Sequence, residues 1–218
     1  MIVAIDGPAG AGKSTVARGL AERLGFRYLD TGAMYRSLTW LALRRGIDLG
    51  DGDALGALAR EYPVTFDAAG RVFIDATDVT GSIRQVRIDS MVPAVARHPE
   101  VREIMRDRQR ELAVEGNVVI EGRDIGTVVA PDAEVKVYLV ANPEVRAARR
   151  QAERPEIGRD ALATDLKLRD ELDHSRMQAA PDAQEIDTTH LPIEAVISRI
   201  RSSSAPGRPS DASAGRLR

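Results

Sequence analysis

The chain has 218 residues, 43% of them hydrophobic, which is enough to build a full core in one domain with insertions or in two small domains. Its 31 basic and 33 acidic residues give a formal net charge of -2, so we expect neither nucleic acid nor a membrane surface as a partner. The lack of cysteine excludes disulfides, thiolate catalysis and cysteine-ligated zinc, and the three scattered histidines predict no metal cluster.

The first predicted element is a strand in the apolar run at residues 2–5. It leads into GPAGAGKST, in which Gly7, Gly12, Lys13 and Ser14 have the G-x-x-x-x-G-K-[ST] spacing of a phosphate-binding loop. An amphipathic helix is predicted to begin near Lys13, and this strand, loop and helix are the context that the motif requires. We therefore expect backbone N–H groups around a nucleoside triphosphate, with Lys13 on its outer phosphates and the Ser14 hydroxyl on magnesium.

A second strand is predicted at residues 26–29, before a helix that Asp30 or Thr31 caps. Arg36 lies in the second turn of this helix and is equally compatible with an ordinary surface position. Another helix is predicted over residues 53–60.

The character of the sequence changes at residues 62–83, which alternate in the strand period and predict a small inserted antiparallel sheet. Helical periodicity then resumes at about residue 86, is interrupted at Pro93 and Pro99, and ends near Gly116. Most of the arginines in this helical region are expected on a solvated face.

A buried strand at residues 118–120 ends in the sequence Glu121-Gly122-Arg123-Asp124. In an open parallel sheet, ligands bind at the carboxyl ends of the strands, so these polar residues are expected near a ligand. A further strand at residues 135–140 leads into a helix from Pro143. A proline and a glycine break that helix, which predicts a short lid at about residues 150–162.

The segment after the lid has helical apolar spacing, which predicts another helix. Arg169, Asp173 and Arg176 lie at i, i+4 and i+7 and therefore share one face, which could equally be a salt-bridged exposed face. The apolar positions are Leu162, Leu166, Leu168 and Leu172.

A last strand at residues 184–186 and a helix at residues 193–201 are predicted to close a single domain over residues 1–201. The small, polar and proline-bearing tail at residues 202–218 predicts disorder. No charged and apolar leader precedes the first motif, and no apolar run approaches the about 20 residues of a membrane span. We therefore expect a cytoplasmic protein.

Alternating strands and helices, with the phosphate-binding loop after the first strand, predict an α/β fold of the P-loop kinase kind: a parallel sheet flanked by helices. Five segments, in this order, resemble those of the bacterial cytidylate kinases: GPAGAGKST, DTGAMYR, DVTGSIR, EGRDIGTVV and RDELDHSR. The resemblance covers residues 2–201. It implies phosphorylation of CMP and dCMP by ATP with Mg²⁺, by an enzyme expected to be a monomer. It also identifies the inserted sheet as part of a substrate-binding insertion at about residues 31–98.

The resemblance assigns roles to matching positions. Lys13, Arg123 and Arg176 are expected to be catalytic, and Ser14 is expected to ligate the metal. The expected ATP-binding residues are Gly7, Pro8, Ala9, Gly10, Ala11, Gly12, Lys13, Ser14, Thr15, Arg150 and Arg154. The expected substrate-binding residues are Thr31, Arg36, Arg102, Arg123, Asp124, Arg169, Asp173 and Arg176.

Within the substrate-binding set, each part of the nucleotide has its own expected contacts. The arginines Arg36, Arg123 and Arg176 resemble those that hold the monophosphate. Ribose contacts are expected from Arg169 and Asp173, and cytosine contacts from Arg102 and Asp124.

The sequence departs from the family pattern at two places. Pro93 stands where the family commonly has a serine that contacts the base, and Ala179-Ala180 replaces a usual Pro-Leu pair. Two alternatives stay open. One is a UMP/CMP kinase or another nucleoside monophosphate kinase, and the other is a non-catalytic ATP-binding regulator.

Overall fold

The computed structural model describes residues 1–174 and 177–204. The strands, in chain order, are β1 (Ile2–Asp6), β2 (Arg27–Asp30), β3 (Thr65–Phe66), β4 (Val72–Ile74), β5 (Thr77–Asp78), β6 (Val118–Glu121), β7 (Val135–Val140) and β8 (Gln184–Asp187). The helices are α1 (Lys13–Leu24), α2 (Thr31–Arg44), α3 (Gly52–Glu61), α4 (Val86–Ala96), α5 (Pro99–Ala113), α6 (Pro143–Glu153), α7 (Arg159–Asp173) and α8 (Ile193–Ser204). A 3-10 turn, Ser82–Arg84, precedes α4, and a π-helical turn, Ile125–Val129, follows β6.

Five parallel strands form the central sheet in the order β2-β6-β1-β7-β8. The register places Ile5 and Asp30 on either side of Glu121, so β1, β2 and β6 end at one level of the sheet. The α/β parallel fold predicted from the sequence is confirmed.

Hydrophobic clusters cover both faces of this sheet. One contains Ala4, Leu29 and Ile120 and is packed against α2, α3 and α5, while the other contains Val3 and Ile5 and is packed against α1 and α8. Since side chains alternate between the two faces of a strand, burial on both faces explains why the central strands are continuous apolar runs rather than alternating ones.

The inserted antiparallel sheet has three short strands in the order β3-β4-β5. Val72 and Ile74 of β4 are buried in the cluster that covers α2, which fixes the sheet to the domain. All three strands lie within residues 62–83, where the inserted sheet was predicted; the alternating residues form β3 and β4, and β5 adds two further residues.

Three local predictions were wrong. Pro93 lies inside α4 instead of interrupting it, because packing of the buried Ile88 and Val95 outweighs the loss of one backbone hydrogen bond. The helix before Gly116 ends earlier, at Ala113. On α7, Leu168 and Leu172 were predicted to belong to the apolar face, but both are about half exposed and do not belong to the buried face of this helix.

The predicted lid region at residues 150–162 is largely helical, with a break of five residues, 154–158, between α6 and α7. At the other end, α8 continues to Ser204, three residues into the tail that was predicted to be disordered. The buried Ile200 anchors this last turn, which explains the extension. The rest of that prediction, residues 205–218, lies outside the described residues. No helix within the described ranges is long and apolar enough to cross a membrane.

Candidate active site

A cavity opens at the carboxyl ends of β1, β2 and β6, where the register brings three chain segments to one level. Helices α2, α4, α5, α6 and α7 supply the rest of its wall. This is the position at which open parallel sheets bind ligands.

Most of the predicted site residues meet in this cavity. Those that line it are Ala9, Lys13, Ser14, Thr31, Arg36, Arg102, Arg123, Asp124, Arg150, Arg169 and Asp173. Six others, Gly7, Pro8, Gly10, Ala11, Gly12 and Thr15, belong to the adjoining loop or the first turn of α1 and do not line it. Arg154 does not line it either, but it pairs with a residue that does. Arg176 lies outside the described residues.

The loop between β1 and α1 has the backbone conformation that a phosphate-binding loop requires. Gly7, Gly10 and Gly12 all have positive φ angles, and a Cβ atom on Gly7 would lie 2.1 Å from the Leu139 carbonyl oxygen. Only glycine fits there. The loop delivers the backbone N–H groups and the positive end of α1 to one place, which suits a polyphosphate.

Lys13 is only 7% exposed, and its Nζ donates a hydrogen bond to the Pro8 carbonyl oxygen at 2.8 Å. Burial, with Arg123 nearby, lowers the pKa of Lys13 from 10.5 to about 7. A cation held in a buried position beside another cation gains more from a bound anion than an exposed lysine does.

Glu121, the last residue of β6, joins the phosphate-binding loop to the second strand. Its carboxylate accepts hydrogen bonds from Ser14 Oγ at 2.9 Å and from the Tyr28 hydroxyl. Burial and the charge of Asp30 raise the pKa of Glu121. Its backbone carbonyl accepts from Thr31 Oγ1 at 2.6 Å, so the hydroxyl of Thr31 is engaged in holding the strand ends together.

Asp30 has two structural tasks at the start of α2. It caps the helix by accepting from the Ala33 N–H at 2.8 Å, and it pairs with Arg36 at 2.9 Å and Arg84 at 3.1 Å. Burial alone would raise the pKa of Asp30, but the two guanidinium groups outweigh it and lower the pKa below its ordinary value. Arg36 therefore points into the cavity with its charge already oriented.

On the opposite wall, Arg123 Nε pairs with Asp173 Oδ2 at 3.2 Å and links the loop after β6 to the end of α7. Arg102 on α5 pairs with Asp124 at 2.5 Å. The second pair places an obligate donor and an obligate acceptor side by side in the cavity wall.

Asp89 on α4 is a residue that the sequence analysis missed. Its Oδ2 atom contacts Arg150, Arg154 at 2.8 Å and Arg169 at 3.1 Å. Burial would raise the pKa of Asp89, but Arg169 and Arg150 hold it well below its ordinary value. The carboxylate therefore gathers arginines from α6, from the break after it and from α7. No local pattern around Asp89 could have indicated this, because its partners lie more than sixty residues away.

Asp6 and Arg146 were also missed, and together with Arg149 they hold the backbone of the loops that form the site. Asp6 accepts from the N–H groups of Ile125 and Gly126 at 2.9 and 2.8 Å, which fixes the turn after β6. Arg146 donates to the Ala9 carbonyl at 3.1 Å, and Arg149 to the Gly10 carbonyl at 3.4 Å. The position of Asp6 at a strand end, directly before the loop, was the available signal.

Comparison with known proteins gives one consistent result. The family model described as cytidylate kinase matches residues 3–204. A cytidylate kinase of Shouchella clausii is 50% identical over 209 residues, which cover 91% of this chain and 93% of that relative. A cytidylate kinase of Pelotomaculum thermopropionicum is 47% identical over 218 residues, with 94% and 96% covered. Among solved structures, an uncharacterized protein from Eubacterium ventriosum has a TM-score of 0.53 at 14% identity, covering 93% of this chain and 96% of that one. This last match is a likeness of fold alone.

Proposed function

The chain belongs to the cytidylate kinase family, and we propose that it transfers the γ-phosphoryl group of ATP to CMP or dCMP, giving ADP and CDP or dCDP. This proposal rests on one observation, which is the set of residues that line a single cavity. It combines the phosphate-binding Lys13 and Ser14 with several arginines and with the Arg102–Asp124 pair. Donor and acceptor sites are thus adjacent, as direct phosphoryl transfer requires.

The donor nucleotide binds at the loop between β1 and α1. Backbone N–H groups of residue 7 and residues 9–15 surround its phosphates, and the Lys13 ammonium group turns from the Pro8 carbonyl to the outer phosphates. Arg150 and Arg154 reach the same phosphates from the lid side. This role is supported by their position on α6 and on the break after it.

The acceptor needs no general base, because the second pKa of a phosphate monoester is about 6 and the group is mostly dianionic at neutral pH. What opposes transfer is repulsion between two polyanions and the charge that spreads over the moving group. Arg36, Arg123 and Arg176 counter this charge on the acceptor side. Arg169 and Asp173 hold the ribose, and their location on one face of α7 supports this role.

Mg²⁺ fits the oxygen atoms that the chain offers. Ser14 Oγ and the Glu121 carboxylate lie 2.9 Å apart at the end of the loop, and both are the hard oxygen ligands that Mg²⁺ prefers. Mg²⁺ is usually held by one or two protein groups together with phosphates and water, so two ligands suffice. When bound, it neutralises charge on the phosphates of ATP.

The base is read by the Arg102–Asp124 pair. Cytosine presents an amino donor at N4 and acceptors at N3 and O2, whereas uracil presents an acceptor at position 4 and a donor at N3. Asp124 takes the N4 hydrogen and Arg102 donates to N3 or O2, so uracil meets two mismatches. Thr31 completes the acceptor side by holding the strand ends in position.

The domain closes around both nucleotides through the insertion at about residues 31–98 and the lid at about residues 150–162. Closure excludes the water that could otherwise take the phosphoryl group. We further propose a cytoplasmic monomer. Only six large apolar side chains are exposed among the described residues, which supports the monomer.

An initial-rate panel with ATP and each of CMP, dCMP, UMP and AMP tests the proposed function. We expect CMP and dCMP to have the highest kcat/KM. A higher value for UMP or AMP would replace the proposal with another nucleoside monophosphate kinase. ATP binding without turnover of any of the four would favour a nucleotide-binding regulator.

A further inference from the structure

Gln109 is a buried polar residue inside an otherwise apolar stripe of α5. The buried positions of this helix, Val101, Met105, Gln109 and Leu112, follow the three- and four-residue spacing of one helix face. Gln109 is 2% exposed, and a hydrocarbon side chain would fill the same position without burying an amide. The presence of an amide therefore calls for a partner.

Gln109 is part of the wall of the cavity. It lines the cavity together with Arg102 and Asp124. It also lines a neighbouring cavity that shares the same two residues. An amide in a cavity wall is available to a ligand, and a ligand that forms hydrogen bonds with it gains binding free energy.

The position of Gln109 relates it directly to the base-reading pair. It lies seven residues after Arg102 on α5, which is about two helical turns, so both residues belong to the same face. Pro93 of α4 also lines this cavity, and its side chain has no polar atom. A base that binds between Arg102 and Asp124 therefore finds a further polar group in Gln109 and none in Pro93.

We infer that Gln109 is a further base-contacting residue, whose amide hydrogen-bonds the edge of the pyrimidine that Arg102 and Asp124 read. This inference rests on the proposed function. An amide carries both a donor and an acceptor and can turn to exchange them, whereas Arg102 only donates and Asp124 only accepts. Gln109 therefore strengthens binding of either pyrimidine, and the choice of cytosine over uracil stays with Asp124.

The test is Gln109→Met, which keeps the length of the side chain and removes both hydrogen-bonding groups. We expect the KM for CMP to rise at least about fivefold, which is the low end for one base contact, while the KM for ATP stays within twofold. The kcat/KM for UMP should fall by a similar factor, so that the CMP to UMP ratio is preserved. The melting temperature of the free protein should stay nearly unchanged, because methionine is an unbranched, flexible side chain of about the same length and can fill the same space. The matched control is Gln85→Met at an exposed position, for which all four quantities should be unchanged.

A KM for CMP within twofold of wild type would overturn the inference and make Gln109 a structural residue. An equal rise in the KM values for CMP and ATP would overturn it as well, since it would indicate general damage. If the Met variant does not fold, Gln109→Asn withdraws the amide by one methylene, and the same selective rise in the KM for CMP is expected. Failure of the proposed function is distinguishable, because the wild-type protein would then not phosphorylate CMP at all.

Discussion

Lys13 is both buried and positively charged. Its burial lowers the stability of the free protein, and its charge attracts a bound anion. Its ammonium group donates a hydrogen bond to a backbone carbonyl, and the nearby Arg123 guanidinium group repels it. A buried cation of this kind lowers the stability of the free protein and interacts strongly with an anion bound beside it.

We predict that Lys13→Met lowers kcat by about 100-fold or more while ATP still binds, because preorganised charge acts most strongly on the transition state. The same variant should melt at a higher temperature than wild type at pH 7. The folded-state pKa of Lys13 is about 7 against an ordinary 10.5, so between these values the unfolded state binds the additional proton and the contribution of Lys13 makes wild-type stability rise with pH. The difference in melting temperature between Lys13→Met and wild type should therefore become smaller from pH 7 to pH 10.

Lys167→Met, at an exposed position on α7, is the control and should leave both kcat and melting temperature nearly unchanged. Equal kcat values for Lys13→Met and wild type would remove Lys13 from the catalytic machinery. A gap in melting temperature that is independent of pH would contradict the depressed pKa.

A second prediction at this scale concerns Asp124. Asp124→Asn keeps the shape of the side chain but adds a donor that uracil O4 can accept. The ratio of kcat/KM for CMP over UMP should fall, mainly through loss of the CMP reaction, since a single base contact contributes about 1–3 kcal/mol of discrimination. Folding is checked by circular dichroism. A ratio that stays within twofold of wild type would show that Asp124 does not read the base.

Residues that line the cavity could be predicted from the sequence where a short motif contains them. Lys13 and Ser14 follow from glycine spacing, and Arg123 and Asp124 follow from their place after a buried strand. Asp89 and Gln109 could not be found in this way, because each gains its significance from residues that are distant in the chain or from a cavity that exists only in the folded protein.

At the scale of elements, Asp89 connects α4 with α6, α7 and the break between them. Its side chain is 8% exposed, and three guanidinium groups share its Oδ2 atom. Removing one partner of a buried ion pair leaves the others uncompensated, which is far more costly than removing an exposed pair.

We predict that Asp89→Asn lowers the free energy of unfolding by on the order of 3 kcal/mol, measured by urea titration. The matched control is Asp165→Asn, which removes a carboxylate from the outer side of the same Arg169. This second carboxylate is more exposed, so its loss should cost less than about 1 kcal/mol. Equal effects of the two substitutions would show that Asp89 does not hold these elements together.

The strands of the central sheet were predictable as elements because burial on both faces turns them into uninterrupted apolar runs. The inserted sheet was predictable from the alternation around Val72 and Ile74. Pro93 was misleading because helix propensity is a local property, whereas the burial of Ile88 and Val95 that keeps α4 intact depends on elements far along the chain.

At the scale of the whole molecule, the kinase domain extends to the end of α8. The composition of residues 205–218 predicts that they bury too little apolar surface to offset the entropy of ordering. Deletion of residues 205–218 should leave the melting temperature and kcat/KM for CMP nearly unchanged.

Deletion of residues 200–218 is the control, because it also removes the fully buried Ile200. It should cost about 2–5 kcal/mol of stability, as loss of a large core side chain does. A loss of several degrees in the shorter deletion would mean that the tail is docked on the domain.

The order of strands in the central sheet also affects how the protein folds during its synthesis on the ribosome. β1 is synthesised first but lies at the centre, and its two neighbours are β6 and β7, more than a hundred residues later. Until residue 121 has been synthesised, both edges of β1 lack their partners, and the edge that pairs with β7 stays open until residue 140. An apolar strand with open edges is prone to aggregate, and such long-range pairing is slow to form. For a long interval the nascent chain therefore contains the phosphate-binding motif but lacks the sheet that this motif needs in order to bind a nucleotide.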